Sequence, residues 1–242
     1  MMHVRVLPFG MLRDWLGSSS ATVELPDGST VAGLLQQLGM GRRAEFLTGI
    51  AVSVNAEFAQ AAHVLVDGDE VGLLPPVSGG APDPSGISES STMVATLTRE
   101  PIQSEKLVAQ AKQGEDGAVV VFDGIVRNNT RGRQTLYLDY ESYEEMASNQ
   151  MHFIAQEARN RFGVRHVTIV HRLGRLQVGE TSVLIVVASA HRAVAYEASR
   201  WLIDTLKTTV PIWKKETFVD GAVWAAGEPF PEGISVETAH DL

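Results

Sequence analysis

No cysteine occurs anywhere in the 242 residues. That absence excludes disulfides, thiolate metal sites and cysteine nucleophiles together. Any sulfur this chain handles has to sit on another group. Long apolar runs are missing as well, and none approaches the roughly 18 residues that a membrane-spanning helix needs. The start, Met1-Met2-His3-Val4-Arg5-Val6, has no signal-peptide layout and enters an alternating pattern at once, so a cytoplasmic location is expected. Positive charge is scarce: 20 Lys and Arg stand against 29 Asp and Glu, a net charge of −9. A general nucleic-acid binder would be basic, so neither nucleic acid nor membrane is an expected partner. Lysine is absent from the first 80 residues, where four arginines and eight acids give a net of −4. Lys207, Lys214 and Lys215 cluster late in the chain. A local basic cluster on an acidic protein suits a small anionic ligand, although for any single lysine a solvated surface position is the commoner situation.

What is present falls into two parts. Ala81-Pro82-Asp83-Pro84-Ser85-Gly86-Ile87-Ser88-Glu89-Ser90-Ser91-Thr92 is rich in Pro, Ser and Gly and nearly free of apolar residues, which predicts a flexible linker over 81–92. Domains are therefore expected at 1–80 and 93–242. In the first, His3–Phe9 and Ala21–Leu25 read as strands, the second closed by the turn Pro26-Asp27-Gly28. Ser29 or Thr30 is placed to cap a helix from Val31 to Leu38, with Gly39 as its stop. Ile50–Val54 reads as another strand, followed by a turn at Asn55-Ala56-Glu57; then come the apolar Val64–Val66, a tight turn at Asp67-Gly68-Asp69-Glu70, and Val71–Leu74. Strand, strand, helix, strand, strand is the order of a small β-grasp fold.

This segment ends Leu73-Leu74-Pro75-Pro76-Val77-Ser78-Gly79-Gly80. Its Asp-Gly-Asp-Glu-Val turn and Pro-Pro-Val-Ser-Gly-Gly tail resemble the small subunit of molybdopterin synthase, a ubiquitin-like sulfur carrier. The resemblance implies that an activating enzyme adenylates Gly80 and converts it to a thiocarboxylate. The carried sulfur then takes the place of a cofactor, and neither cofactor nor metal is expected. Two glycines suit the task because a chain without Cβ atoms can thread a narrow channel. The plainer reading is that Gly79-Gly80 only opens the linker.

In the second part, Gly117–Gly124 is a short apolar run bounded by turn residues, hence a buried strand. Leu136–Tyr140, Val167–Val170 and Ser182–Ala188 read as strands. Glu144–Arg161 and Ala193–Lys207 read as helices, the latter with Val194, Ala198, Trp201 and Leu202 at core spacing and Pro211 barring its extension. Five stretches carry the chemistry: Phe122 to Asn129, His171 to Gly174, Ala188 to Arg192, Leu206 to Thr208, and Pro211 to Glu216. Together they resemble the large, catalytic subunit of molybdopterin synthase from about Gly114 to Trp224. The resemblance implies an α+β chain: a β-grasp domain, a linker, and an α/β-hammerhead-like domain that forms a homodimer.

His191 and Arg192 stand between a buried strand and the start of a helix, where backbone N–H groups and the helix dipole favour an anion. Arg192 can clamp a phosphate bidentately and His191 can donate a proton; a lone histidine is more often structural. Arg127 should project at the end of the Gly117–Gly124 strand, with Phe122 as a packing wall. Lys207 and Lys214 lie seven residues apart across the break at Pro211. If they meet in one pocket, mutual repulsion would lower a lysine pKa and make one a general base. Ile203, one turn before Lys207, would add an apolar wall. The resemblance gives Arg127, His191 and Arg192 the binding of substrate, with His191 and Arg192 serving the partner subunit's pocket in one arrangement. It places Lys207 against the carrier's terminal glycine and Lys214 in the same pocket. The implied substrate is cyclic pyranopterin monophosphate, precursor Z, and the product the dithiolene of molybdopterin. One departure stands out. The family has a basic residue shortly after the tryptophan matching Trp224, whereas here no Lys or Arg follows Lys215 and Glu228 lies nearby.

Gly80 is internal, tied to Ala81 by an amide. A protease cutting after Gly80 therefore joins the expected partners. Two other readings stay open: a latent or scaffolding fusion whose Gly80 is never activated, and a carrier for another sulfur pathway such as thiazole synthesis. The ordered motifs of the second part oppose the latter.

Overall fold

A computed structural model describes residues 1–17, 19–39, 50–76 and 93–225. Gly79, Gly80, the linker stretch 81–92 and Glu228 lie outside the described residues. The described chain forms two compact units, one on each side of that stretch.

The first unit comprises β1 (Met2–Pro8), α1 (Met11–Leu16), β2 (Ala21–Leu25), α2 (Val31–Gln37), β3 (Ala51–Val54), β4 (Glu57–Ala59) and β5 (Glu70–Leu74). The sheet order is β2-β1-β5-β3-β4. β1 and β5 run parallel, and the other neighbours are antiparallel. This is the β-grasp arrangement. Alternation in β1 sends Val4 and Val6 inward, where they meet Val31, Leu34 and Leu35 of α2 and Val52, Val71 and Leu73 of the sheet. Of the two candidate caps, Thr30 takes the role, its hydroxyl accepting from Gly33 N at 3.3 Å. Val64–Val66 is not a strand; only an isolated bridge joins Thr30 to Val64. The apolar pattern there was too short to carry pairing on its own, and Val64 and Val66 remain exposed. α1 and β4 had no sequence signal strong enough to be read.

The second unit comprises β6 (Met93–Thr98), α3 (Ser104–Ala111), β7 (Ala118–Ile125), β8 (Asn129–Thr130), β9 (Arg133–Ser142), α4 (Glu144–Phe162), β10 (His166–Arg172), β11 (Gly174–Gln177), β12 (Thr181–Ser189), α5 (Arg192–Thr209), β13 (Ile212–Phe218) and β14 (Gly221–Trp224). A four-stranded sheet has the order β6-β10-β12-β7. A second sheet runs β11-β9-β13-β14, with β8 paired to β9. Helices α4 and α5 pack on each other and on the first sheet. Met151, Ile154 and Ala158 of α4 and Ala198 and Leu202 of α5 fill that core with Ile169, Ile185 and Val187 of the strands. β10 and β12 are buried along nearly their whole length; β12 carries an unbroken apolar run from Val183 to Ala188, whereas Thr168 interrupts that of β10. Among the described residues, no helix is long and apolar enough to cross a membrane.

Candidate active site

β12 and β7 are antiparallel, with Ser189 opposite Ala118 at one end and Thr181 opposite Ile125 at the other. α5 leaves the Ser189 end, packs on β12 and β7, and so runs back toward the Thr181 end. This geometry sorts the sequence-derived candidates into two groups. His191 and Arg192 sit at the Ser189 end. Arg127, two residues past β7, and Lys207, in the last turn of α5, sit at the Thr181 end. The rise along α5 from Arg192 to Lys207 is about 23 Å, and the eight residues of β7 span a similar length. One small molecule cannot touch both ends of the same unit.

At the Ser189 end, His191 is the N-terminal flanking residue of α5, with extended backbone and no side-chain cap. Its N–H donates to Ser189 Oγ at 3.5 Å. His191 and Arg192 are exposed, and neither side chain makes a hydrogen bond or ion pair among the described residues. The first turn holds no acidic side chain, so the positive end of the helix is not neutralised locally.

At the other end, α5 finishes on threonines. Thr205 Oγ1 donates to Trp201 O at 2.7 Å, Thr208 Oγ1 to Thr205 O at 2.9 Å, and Thr209 Oγ1 to Thr205 O at 2.9 Å. These hydroxyls are satisfied within the helix, which leaves exposed Lys207 as the group of the last turn that projects. Lys207 has no ion-pair partner among the described residues. Arg127 is exposed and likewise unpaired there. Phe122 faces Ile185 across the ladder, and it packs against the same core cluster that contains Ile203.

Lys214 lies on β13 opposite Tyr140 of β9, and Tyr140 packs edge-on against His171 at 5.1 Å between ring centroids. His171 is near the Thr181 end, opposite Val183, so Lys214 belongs to that end too. What faces the Lys214 ammonium is the Glu216 carboxylate, Nζ to Oε1 3.0 Å. Glu216 is buried, and its other oxygen has no hydrogen-bond partner among the described residues. Glu216 closes the Pro211–Glu216 stretch and is a functional residue that the sequence did not single out. The signal was available: two residues apart on a strand means the same face.

His171 and Arg172, from the second of the five stretches, are both buried. Arg172 reaches Glu180 Oε1 at 3.0 Å and donates from Nε to Arg99 O at 3.4 Å. The backbone N–H donated by Gln177, together with that pairing, holds the Glu180 carboxyl below its ordinary value. Burial pushes the His171 pKa down to about 4, so the folded unit keeps this imidazole neutral. The unfolded chain takes up the proton below about pH 6.5, whereas the folded one waits until about pH 4. Stability from this group is therefore complete above pH 6.5 and is lost as pH falls toward 4, on the order of 3 kcal/mol. Urea unfolding of the second unit followed across that range should show the decline, and His171→Gln should flatten it. An unchanged slope in the variant would assign the effect to other groups.

Among the described residues, no three His, Asp or Glu side chains converge as metal ligands. What the Thr181 end offers is two ammonium groups and a guanidinium, suited to holding an anion and moving protons. The Ser189 end offers a helix N-terminus with an imidazole and a guanidinium, suited to a phosphate.

Both parts of the chain match known families. Residues 97–209 match the family described as MoaE protein, and residues 6–80 match the ThiS family. The molybdopterin synthase catalytic subunit of Halalkalibacterium halodurans is 40% identical over 141 residues, 57% of this chain and 90% of the relative. The human molybdopterin synthase catalytic subunit is 38% identical over 142 residues, 59% of this chain and 76% of the relative. The crystal structure of molybdopterin synthase from Staphylococcus aureus matches with a TM-score of 0.51 and 43% identity, covering 53% of this chain and 94% of that one.

Proposed function

This chain belongs to the MoaE family of molybdopterin synthase catalytic subunits and carries a ThiS-family carrier segment ahead of it, and from that premise we propose that it transfers sulfur from a Gly80 thiocarboxylate to precursor Z. Its place in molybdopterin biosynthesis follows from the family; the sulfur route, the residues and the partners are the proposal. In each of two transfers the thiocarboxylate sulfur bonds to a pterin side-chain carbon and displaces an oxygen from it, in one case the phosphate ester oxygen and in the other an oxygen lost as water; water then cleaves the acyl–sulfur bond, leaving the sulfur on the pterin and Gly80 as a carboxylate. The dithiolene results as the cyclic phosphate opens. Arg127 binds the substrate near Phe122 and Ile203. Lys207 contacts the carrier's terminal carbonyl and moves protons. Lys214, held by Glu216, stabilises charge on the acyl group. An adenylating and sulfurating enzyme loads Gly80, and a protease frees it. The chemistry is that of a cytoplasmic enzyme.

The observation that carries this reading furthest is the separation of the two groups along α5. It supports a homodimer in which His191 and Arg192 of one protomer complete the Lys207 pocket of its partner. The Ser189 end would add a helix N-terminus, an imidazole and a second guanidinium to the cations of the Thr181 end, and across two protomers both sets can serve one substrate.

Arg192→Ala is expected to raise the substrate dissociation constant about 10- to 100-fold, the value of a lost charge-assisted phosphate contact of about 1.5–3 kcal/mol, with the melting temperature nearly unchanged. Mixing chains that carry Arg192→Ala with chains that carry Lys207→Ala tests the sharing directly. In a mixed dimer one pocket bears both lesions and the other bears neither, so activity should return on subunit exchange. No recovery in dimers shown to be mixed would place both groups in the service of one protomer and overturn the shared pocket.

A further inference from the structure

We infer that Gly117, with the Asp116–Arg165 pair behind it, is the positioning element that sets the His191-Arg192 turn, although none of the three reaches the ligand. The inference rests on the reading of that turn as the substrate's phosphate anchor. The segment from α3 to β7 runs Lys112-Gln113-Gly114-Glu115-Asp116-Gly117. The Asp116 side chain is almost wholly buried and is gripped on both oxygens: Arg165 Nε donates to Oδ1 at 2.7 Å, and a second guanidinium nitrogen donates to Oδ2 at 2.5 Å. Gln113 N adds a bond to Oδ2 at 2.8 Å. Arg165 also donates to the carbonyl of Ala111, the last residue of α3. Its backbone N–H donates to Ala188 O at 3.1 Å. The arginine thus ties the α3–β7 segment to the last residues of β12.

Gly117 is what that tie presses against the turn. Its N–H donates to Ser189 O at 3.1 Å. A Cβ built on it would lie 2.3 Å from Ala190 O and 3.2 Å from Ala190 C. Those are backbone atoms of the residue just before His191, so no side chain can swing aside to make room. Any residue larger than glycine has to push the Ala190 carbonyl, and with it the first turn of α5. Gly114 makes an internal control. It sits three residues earlier in the same segment, and a Cβ there meets nothing within 4 Å.

The test compares four full-length variants for steady-state conversion of precursor Z with a thiocarboxylated carrier supplied in excess. Gly117→Ala should raise KM for precursor Z 10-fold or more, with kcat within about 3-fold of the parent. Gly114→Ala should match the parent. Asp116→Asn, which loosens the arginine grip without adding an atom, should raise KM by a smaller factor and so covers the case in which Gly117→Ala fails to fold. Arg192→Ala is run alongside. The imidazole signals of His191 are followed by NMR, and they should shift in Gly117→Ala and Asp116→Asn but not in Gly114→Ala. If Arg192→Ala leaves KM unchanged, the phosphate-anchor reading is at fault. If Arg192→Ala raises KM while folded Gly117→Ala and Asp116→Asn keep parental KM and His191 shifts, the positioning role is overturned and that reading survives.

Discussion

Lys207→Ala is expected to slow sulfur transfer by about 10²- to 10⁴-fold, the range for removing a positioned proton-transfer group, while the protein stays folded. Lys207 is exposed in the last turn of α5 and has no ion-pair partner among the described residues. Removing an exposed, unpaired side chain changes stability by about half a kcal/mol or less. The neighbouring threonines hold the helix end through their own hydroxyls, so the turn does not depend on this lysine. The ammonium also sits where the helix dipole is negative, which favours a cation there before any ligand arrives. Single-turnover conversion of precursor Z with preloaded carrier measures the effect without interference from product release. Lys207→Arg separates two roles. Arginine keeps the charge but does not give up its proton at working pH, so partial recovery would point to charge and continued loss to proton transfer. Near-normal conversion by folded Lys207→Ala would remove this residue from the mechanism.

A chain that cannot be cut after Gly80 is expected to have no synthase activity of its own. A thiocarboxylate is built on a free carboxylate, and the Gly80 carboxyl is held in an amide to Ala81. No cysteine is present to open that amide by acyl transfer. Replacing Gly80 and Ala81 with residues that block processing, in a host lacking both subunits of the enzyme, should abolish molybdenum-cofactor synthesis. Co-expressing residues 1–80 with a free Gly80 terminus should restore it, because the second unit remains intact. Full synthesis by a chain shown by intact mass to be wholly uncut would sink the processing requirement.

The parts of this architecture that could be read from the sequence are those with strong local signals. β2 was legible to the residue because a turn closes it, and α2 because threonine, an apolar stripe and glycine mark its ends. β12 announced itself as an unbroken apolar run, whereas Gly117–Gly124, read as buried on the same ground, forms β7 and is only half-buried, because one of its faces is left without a full cover. α1, β4 and β11 were not legible, since short elements owe their conformation to what they pack and pair with rather than to their own pattern. Among the candidates, the order of motifs suggested which residues carry chemistry. The ion pair of Lys214 with Glu216 was within reach of strand periodicity. The grip of Arg165 on Asp116 was not, because the two are 49 residues apart and only the fold brings them together.

The length of α5 also bears on gene dosage. If a working pocket draws one group from each end of two different helices, a lone chain has no complete pocket. Output at low abundance then rises with the square of chain concentration, and only above the dimer dissociation constant does it become proportional. A cell that halves its supply of the protein in the dilute regime loses about three quarters of its synthase capacity.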